Sequence, residues 1–179
     1  MNDARSKLCL VIAGIISLSV YSLTLAPDLT WSHYGADGGD FVAAAVTGRI
    51  PHPPGFPVYM ALADVFVRLG SGVFPRHPPA WRLNFLSAIM ASATVLVLAW
   101  IPPDGVYPPD GVYPPDGLIP PVRSSDFSRS ESFWIRLATS LALAFAPLFW
   151  CQALITEVYT TAAFFLVLSL ASWIKSKRS

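Results

Sequence analysis

Two carboxylates three residues apart, Asp37 and Asp40, lie in the stretch WSHYGADGGDFVAAAVTGRIPHPPGFPVY (residues 31–59), with His33, His52 and the cluster His52-Pro53-Pro54-Gly55. Such a carboxylate can take a proton as a general base, or hold a divalent cation through oxygen. Gly38 and Gly39 predict a tight turn that turns both acids into one pocket; an ordinary solvated turn is the other reading of the same residues. Near a low-dielectric boundary a carboxyl pKa rises unless a cation or hydrogen-bond donors compensate. The prolines beside His52 fix φ, and Gly55 permits angles that other residues avoid. That stiffness either positions His52 for a ligand or only aims the chain into the next segment.

Two further charged residues sit at the edges of apolar runs. Glu157 opens the run 157–174, where the helix macrodipole favours an acid and where an acid facing a bundle is also a candidate functional group. Arg82 stands just ahead of the run 83–101 and could bind a phosphate or anchor a helix among lipid headgroups.

The elements that must position these residues are apolar. The chain is 54% hydrophobic and 13% charged, against roughly 25% charged in soluble domains, which places it in a membrane. Its net charge of +1 gives no case for a nucleic-acid partner. Residues 8–26 make an uncharged run long enough to cross the bilayer, with a signal peptide as the rival reading. Further spans are expected over 83–101, 133–150 (with Pro147 near its exit) and 157–174. Residues 27–81 form a loop, in which 58–69 has helical spacing of apolar residues, with Asp64 and Arg68 four apart on the other side. That segment reads as an amphipathic helix in the membrane interface, ended by Gly70-Ser71-Gly72. The fold class is therefore all-α: a polytopic bundle of four transmembrane helices plus this loop, forming one membrane domain over 1–179. Cys9 and Cys151 fall near opposite faces and are not expected to pair.

The loop 102–132 carries PPDGVY at 102–107 and 108–113, and its start again at 114–117. Pro-Pro favours extended chain and Asp-Gly favours turns, so a solvated connector is expected. Basic residues set the orientation. Arg5, Lys7, Arg123, Arg129, Arg136, Lys175, Lys177 and Arg178 fall on one side, against Arg49, Arg68, Arg76 and Arg82 on the other. Both termini are thus expected in the cytoplasm, and the 27–81 loop outside an inner (plasma) membrane.

Three blocks in order, TLAPDLTW…DGGDFVAAAVTGRIPHPPGFPVY, RLNFLSA and FWCQALITEVYT, resemble a polytopic membrane family. It includes the transmembrane O-mannosyltransferases of animals and is similar to the GT-C glycosyltransferases. The resemblance covers most of residues 20–175 outside the repeat. It implies transfer of a sugar, plausibly mannose, from a polyprenyl-phosphate donor to an extracytoplasmic hydroxyl. An acid of the first outer loop would be the base, sometimes with a divalent metal. On the matching positions, Asp37 and Asp40 are implied as catalytic, and as the ligands of any such cation. His52, Arg82, Glu157 and Tyr159 are implied in substrate binding. Gly38 stands for the family's usual Ser, Asp40 for Glu and Phe56 for Tyr. The implied partners are membrane lipid, the lipid-linked sugar and further membrane segments, since family members have many more spans than these four. The alternative is a truncated or degenerate membrane protein without enzymatic activity, and whether this chain alone is an enzyme is left open by its residues.

Overall fold

A computed structural model describes residues 4–101 and 129–177 of the chain, so the PPDGVY repeat lies outside the described residues. Those residues form seven α-helices and one 3-10 turn, with no strand among them. In order the helices are α1 (Ala4–Thr24), α2 (Gly38–Thr47), α3 (Pro57–Val73), α4 (Pro79–Trp100), α5 (Arg129–Ala144), α6 (Pro147–Ala153) and α7 (Tyr159–Ser176), with the 3-10 turn at Ser32–Tyr34.

Helix α4 is the axis. It is apolar on every side, begins at Pro79 directly after Pro78, and packs against α1, α5 and α7. Small side chains allow the close approach: Ala88, Ala91, Val95 and Ala99 of α4 meet Ala13 and Tyr21 of α1 and Ala144 of α5 in one buried cluster. A second cluster joins Leu83, Leu86 and Met90 of α4 to Phe41 and Ala45 of α2 and to Tyr59, Ala63 and Val67 of α3. A third, at the opposite end of α4, joins Ile101 to Ala171 and Ile174 of α7. The bundle therefore has two distinct ends. At one end the 24–35 segment, α2, α3 and the 154–158 link gather around the start of α4. At the other end α4 and α7 finish together.

Among the described residues, α4 is the one helix long and apolar enough to cross a membrane. The pair α5–α6 would add a second if the two count as one bent span, and Val11–Thr24 is a shorter apolar helix.

Four local expectations are corrected. Asp37 to Asp40 is not a glycine turn: α2 begins at Gly38, and the glycines at positive φ are Gly48 and Gly55. The helix wins because Phe41, Ala44 and Ala45 place a buried face at helical spacing, and Gly48 at φ 69° ends it with its N–H on the Ala44 carbonyl. The 133–150 span is bent by 66° between Ala144 and Pro147, since proline has no N–H to continue the ladder. Helix α3 runs past Gly70-Ser71-Gly72 to Val73. Gly70 lies under the Arg82 side chain, where an added Cβ would come within 3.0 Å of its Cδ. Glu157 does not open the last helix but precedes it, since α7 starts at Tyr159.

Candidate active site

The N-terminus of α2 puts Asp37 at the N-cap and Asp40 in the first turn, where the helix dipole favours negative charge. The loop after Gly48 returns His52 to these acids. Its backbone N–H donates to Asp40 Oδ2 at 2.8 Å, and its ring Nδ1 lies 2.7 Å from the same oxygen. A carboxylate only accepts, so Nδ1 carries the hydrogen in this pair. That leaves Nε2 facing Asp37 Oδ2 at 3.7 Å, a charge contact longer than a hydrogen bond. One imidazole thus bridges both acids, and the side chains of Asp37 and His52 stay 46% and 40% exposed, open to an incoming molecule. The hydrogen bond from the His52 backbone, then the one from its ring, holds the Asp40 carboxyl below the usual carboxylate range.

Aromatic side chains fix the imidazole from behind. Phe41 and Phe56 each lie 5.6 Å from the His52 ring, and Phe41 also meets Tyr59 at 5.2 Å. Phe56 takes φ 44° just before Pro57, a left-handed conformation rare for a bulky residue. Its strain is offset by the edge contacts that the ring makes with Phe41 and His52.

Glu157 closes the inner side. It is buried, at 2% exposure, and its carboxylate accepts from the backbone N–H groups of Asp37 and Val158. Burial first, then the charge of Asp37, pushes its pKa up to about 7, against the lowering from those two hydrogen bonds and from His52. Tyr59 is buried beside it and its phenol pKa is raised, by burial and then by the Glu157 charge. Gly38 fits between these layers: a Cβ there would meet the Thr156 carbonyl oxygen at 3.2 Å.

Asp37, Asp40, His52 and Glu157 are therefore brought together. Arg82 and Tyr159 are not. Arg82 is buried, and its Nη1 and Nη2 donate to the Val67 and Phe74 carbonyls at 3.3 Å, so it clamps the far end of α3. Val67 is ten residues into α3, about 15 Å along the helix from its start beside His52. Tyr159 is 61% exposed and lines a separate cleft of about 570 Å³ between the α5–α6 bend and α7. Among the described residues no three His, Cys, Asp or Glu side chains are placed to share a metal ion. Asp40 already gives one oxygen to two His52 donors, so the donor set fits a hydrogen-bonded relay rather than a metal clamp.

One site-end residue escaped the sequence reading. Asn84, 1% exposed, donates to the Ala26 and Asp28 carbonyls at 2.9 and 3.2 Å and accepts from the Thr156 hydroxyl at 2.7 Å. It ties the end of α1, the start of α4 and the link to α7 into one knot. An amide inside the apolar run 83–101 was the available signal.

A helical bundle that carries a carboxylate–imidazole–carboxylate bridge at one end, backed by a buried acid, has the layout of an acid–base catalyst set on a scaffold of apolar helices. The family model for the Protein O-mannosyl-transferase TMEM260 N-terminal domain matches residues 37–179, and the chain belongs to that family. It is 22% identical over 85% of its length to the protein O-mannosyl-transferase tmem260 of Dictyostelium discoideum, and 31% identical over 45% of its length to the TMEM260 protein O-mannosyl-transferase of Mus musculus. The chain spans 15% of the first relative and 10% of the second. No solved structure matches it.

Proposed function

We propose that the chain is the acid–base portion of a membrane glycosyltransferase that moves a sugar, in this family mannose, from a polyprenyl-phosphate to an acceptor hydroxyl. The observation that carries this reading is the His52 bridge: Asp40 holds the imidazole through two hydrogen bonds and leaves its free nitrogen toward Asp37, whose carboxylate is half exposed. Asp37 takes the acceptor proton as the acceptor oxygen bonds to the anomeric carbon. The bond from that carbon to the phosphate oxygen breaks, and the phosphate leaves with its electron pair, inverting the centre. His52 Nε2 is the next stop for the proton, and Asp40 stabilises the imidazolium that forms.

The bundle crosses an inner membrane through α1, α4, α5–α6 and α7, with the site end outside, the termini in the cytoplasm and α3 in the interface. Further segments of the transferase complete the substrate cavity.

The test is transfer of labelled mannose by membranes holding a chimera, in which this chain replaces the matching part of the Dictyostelium relative. Asp37→Asn should lower the rate by about 10²-fold or more, the usual scale for a general base, with protein level unchanged. Normal transfer by that variant overturns the assignment. The rival reading, a membrane protein without enzymatic activity, requires the unsubstituted chimera to be inactive.

A further inference from the structure

The cleft at the α5–α6 bend is not explained by the site above. Leu143, Leu148, Phe149 and Tyr159 line it, with Gln152 and Thr160 at its base, and among the described residues its lining holds no charged side chain. Its volume of about 570 Å³ falls in the range of small-molecule sites. Two polar atoms in it are stranded. Gln152 is 7% exposed, and its Nε2 donates to the His33 carbonyl at 3.1 Å, which fixes the direction of the amide. Its Oε1 has no partner among the described residues, and neither does the hydroxyl of Thr160, which is 0% exposed. Buried polar groups are rarely left unpaired, and each such orphan costs stability. An unpartnered acceptor and an unpartnered hydroxyl in the lining of an apolar trough ask for a ligand with one neutral polar group on an apolar body. An anionic head finds no cation here.

The mouth indicates where the ligand comes from. Of the lining side chains Leu148 is 68% exposed and Tyr159 61%, so the cleft opens sideways between α6 and the start of α7, past an apolar rim. In a chain that spans the bilayer such a rim faces hydrocarbon. We propose that this cleft binds a neutral lipid with a hydroxyl head, entering sideways from the membrane, its hydroxyl donating to Gln152 Oε1 and pairing with Thr160 Oγ1. The inference rests on the membrane-spanning part of the proposed function and not on the transferase part.

The experiment uses the whole chain in native membranes, first washed with alkaline carbonate, then exposed to octadecanol carrying a mid-chain diazirine. Cross-links are mapped by mass spectrometry. They should concentrate in residues 143–160 and be competed by plain octadecanol. Octadecane and octadecyl phosphate should compete about five- to tenfold less well, the weight of a hydrogen bond made or missed. Thr160→Val and Gln152→Leu should each weaken octadecanol competition by about fivefold. The ligand comparison on the unsubstituted chain decides the matter even where a variant fails to fold. Equal competition by octadecane, stronger competition by octadecyl phosphate, protection by a serine-containing peptide instead, or cross-links spread evenly over the helices would each overturn the proposal. Release of the chain by carbonate overturns the membrane reading and this inference with it; retention without octadecanol competition overturns this inference alone.

Discussion

At Glu157 two physical effects oppose each other. Burial and the Asp37 charge favour the neutral acid, while the N–H groups of Asp37 and Val158 favour the anion, and burial wins, so the pKa rises from 4.5 to about 7. An acid whose folded pKa lies above its unfolded value contributes its full stability below pH 4.5, while both states are protonated. It loses that contribution as pH rises through about 7, and beyond that the loss is constant. From the size of the shift the loss is on the order of 3 kcal/mol. Thermal melts of the detergent-solubilised chain should therefore fall between pH 5 and 7.5, and Glu157→Gln, neutral throughout, should flatten that slope. An unchanged slope in the variant would show that another group sets it. The acid that receives the Asp37 N–H has its pKa raised to about 7, so the start of α2, with Asp37 on it, is held differently on the two sides of neutral pH.

At the scale of elements, the question is how segments distant in sequence are locked at one end of the bundle. Asn84 does most of this with three hydrogen bonds to residues 56 to 72 positions away. Ala26 N–H adds a bond to the Leu154 carbonyl at 3.1 Å. Removing the amide leaves buried groups of three segments without partners, so Asn84→Leu should cost about 3 kcal/mol or more. Thr156→Val alone should cost about 1 kcal/mol, and the double variant should cost less than the sum. A double-mutant cycle by urea or thermal unfolding in detergent measures the coupling; strict additivity would mean that the Thr156–Asn84 contact contributes nothing. These partners also show what a sequence can and cannot reveal. The uninterrupted apolar runs that became α1, α4 and α7 could be read from composition, as could the spacing of α3. Helix α2 could not, because two glycines at its start imitate a turn and its buried face shows only once α3 and α4 cover Phe41 and Ala45. The 66° bend at Pro147 was visible as a proline, but its direction depends on the Gln152 and Trp150 bonds to His33 and Thr24. Of the candidate site, the acids and His52 were legible from their types and closeness in sequence. The exclusion of Arg82 was not, since only the fold shows its guanidinium spent on α3 carbonyls.

At the scale of the whole molecule, the count of crossings decides where the site faces. Helices α1 and α5–α6 run toward the end that holds Asn84, where Thr24 receives the Trp150 indole N–H at 3.2 Å. Helices α4 and α7 run away from it, and close together at Ile101 and Ile174. Each pair of successive long segments is thus antiparallel, which puts the start of α1 and the end of α7 at the end opposite to Asp37. A bent pair such as α5–α6 can also re-enter a membrane without crossing it, and then α7 would carry the C-terminus to the other face. The bonds from Trp150 and Gln152 to Thr24 and His33 place α6 at the site end. Impermeant maleimide applied to intact cells separates the two arrangements in a background where Cys9 and Cys151 are replaced. Gly72→Cys, at an open position of α3, should be labelled, and Ser176→Cys should be labelled only after the cells are opened. Labelling at 176 in intact cells but not at 72 would invert the orientation drawn from the basic residues. Labelling at both would make α5–α6 re-entrant and leave three crossings, with the Asp37 site still outside.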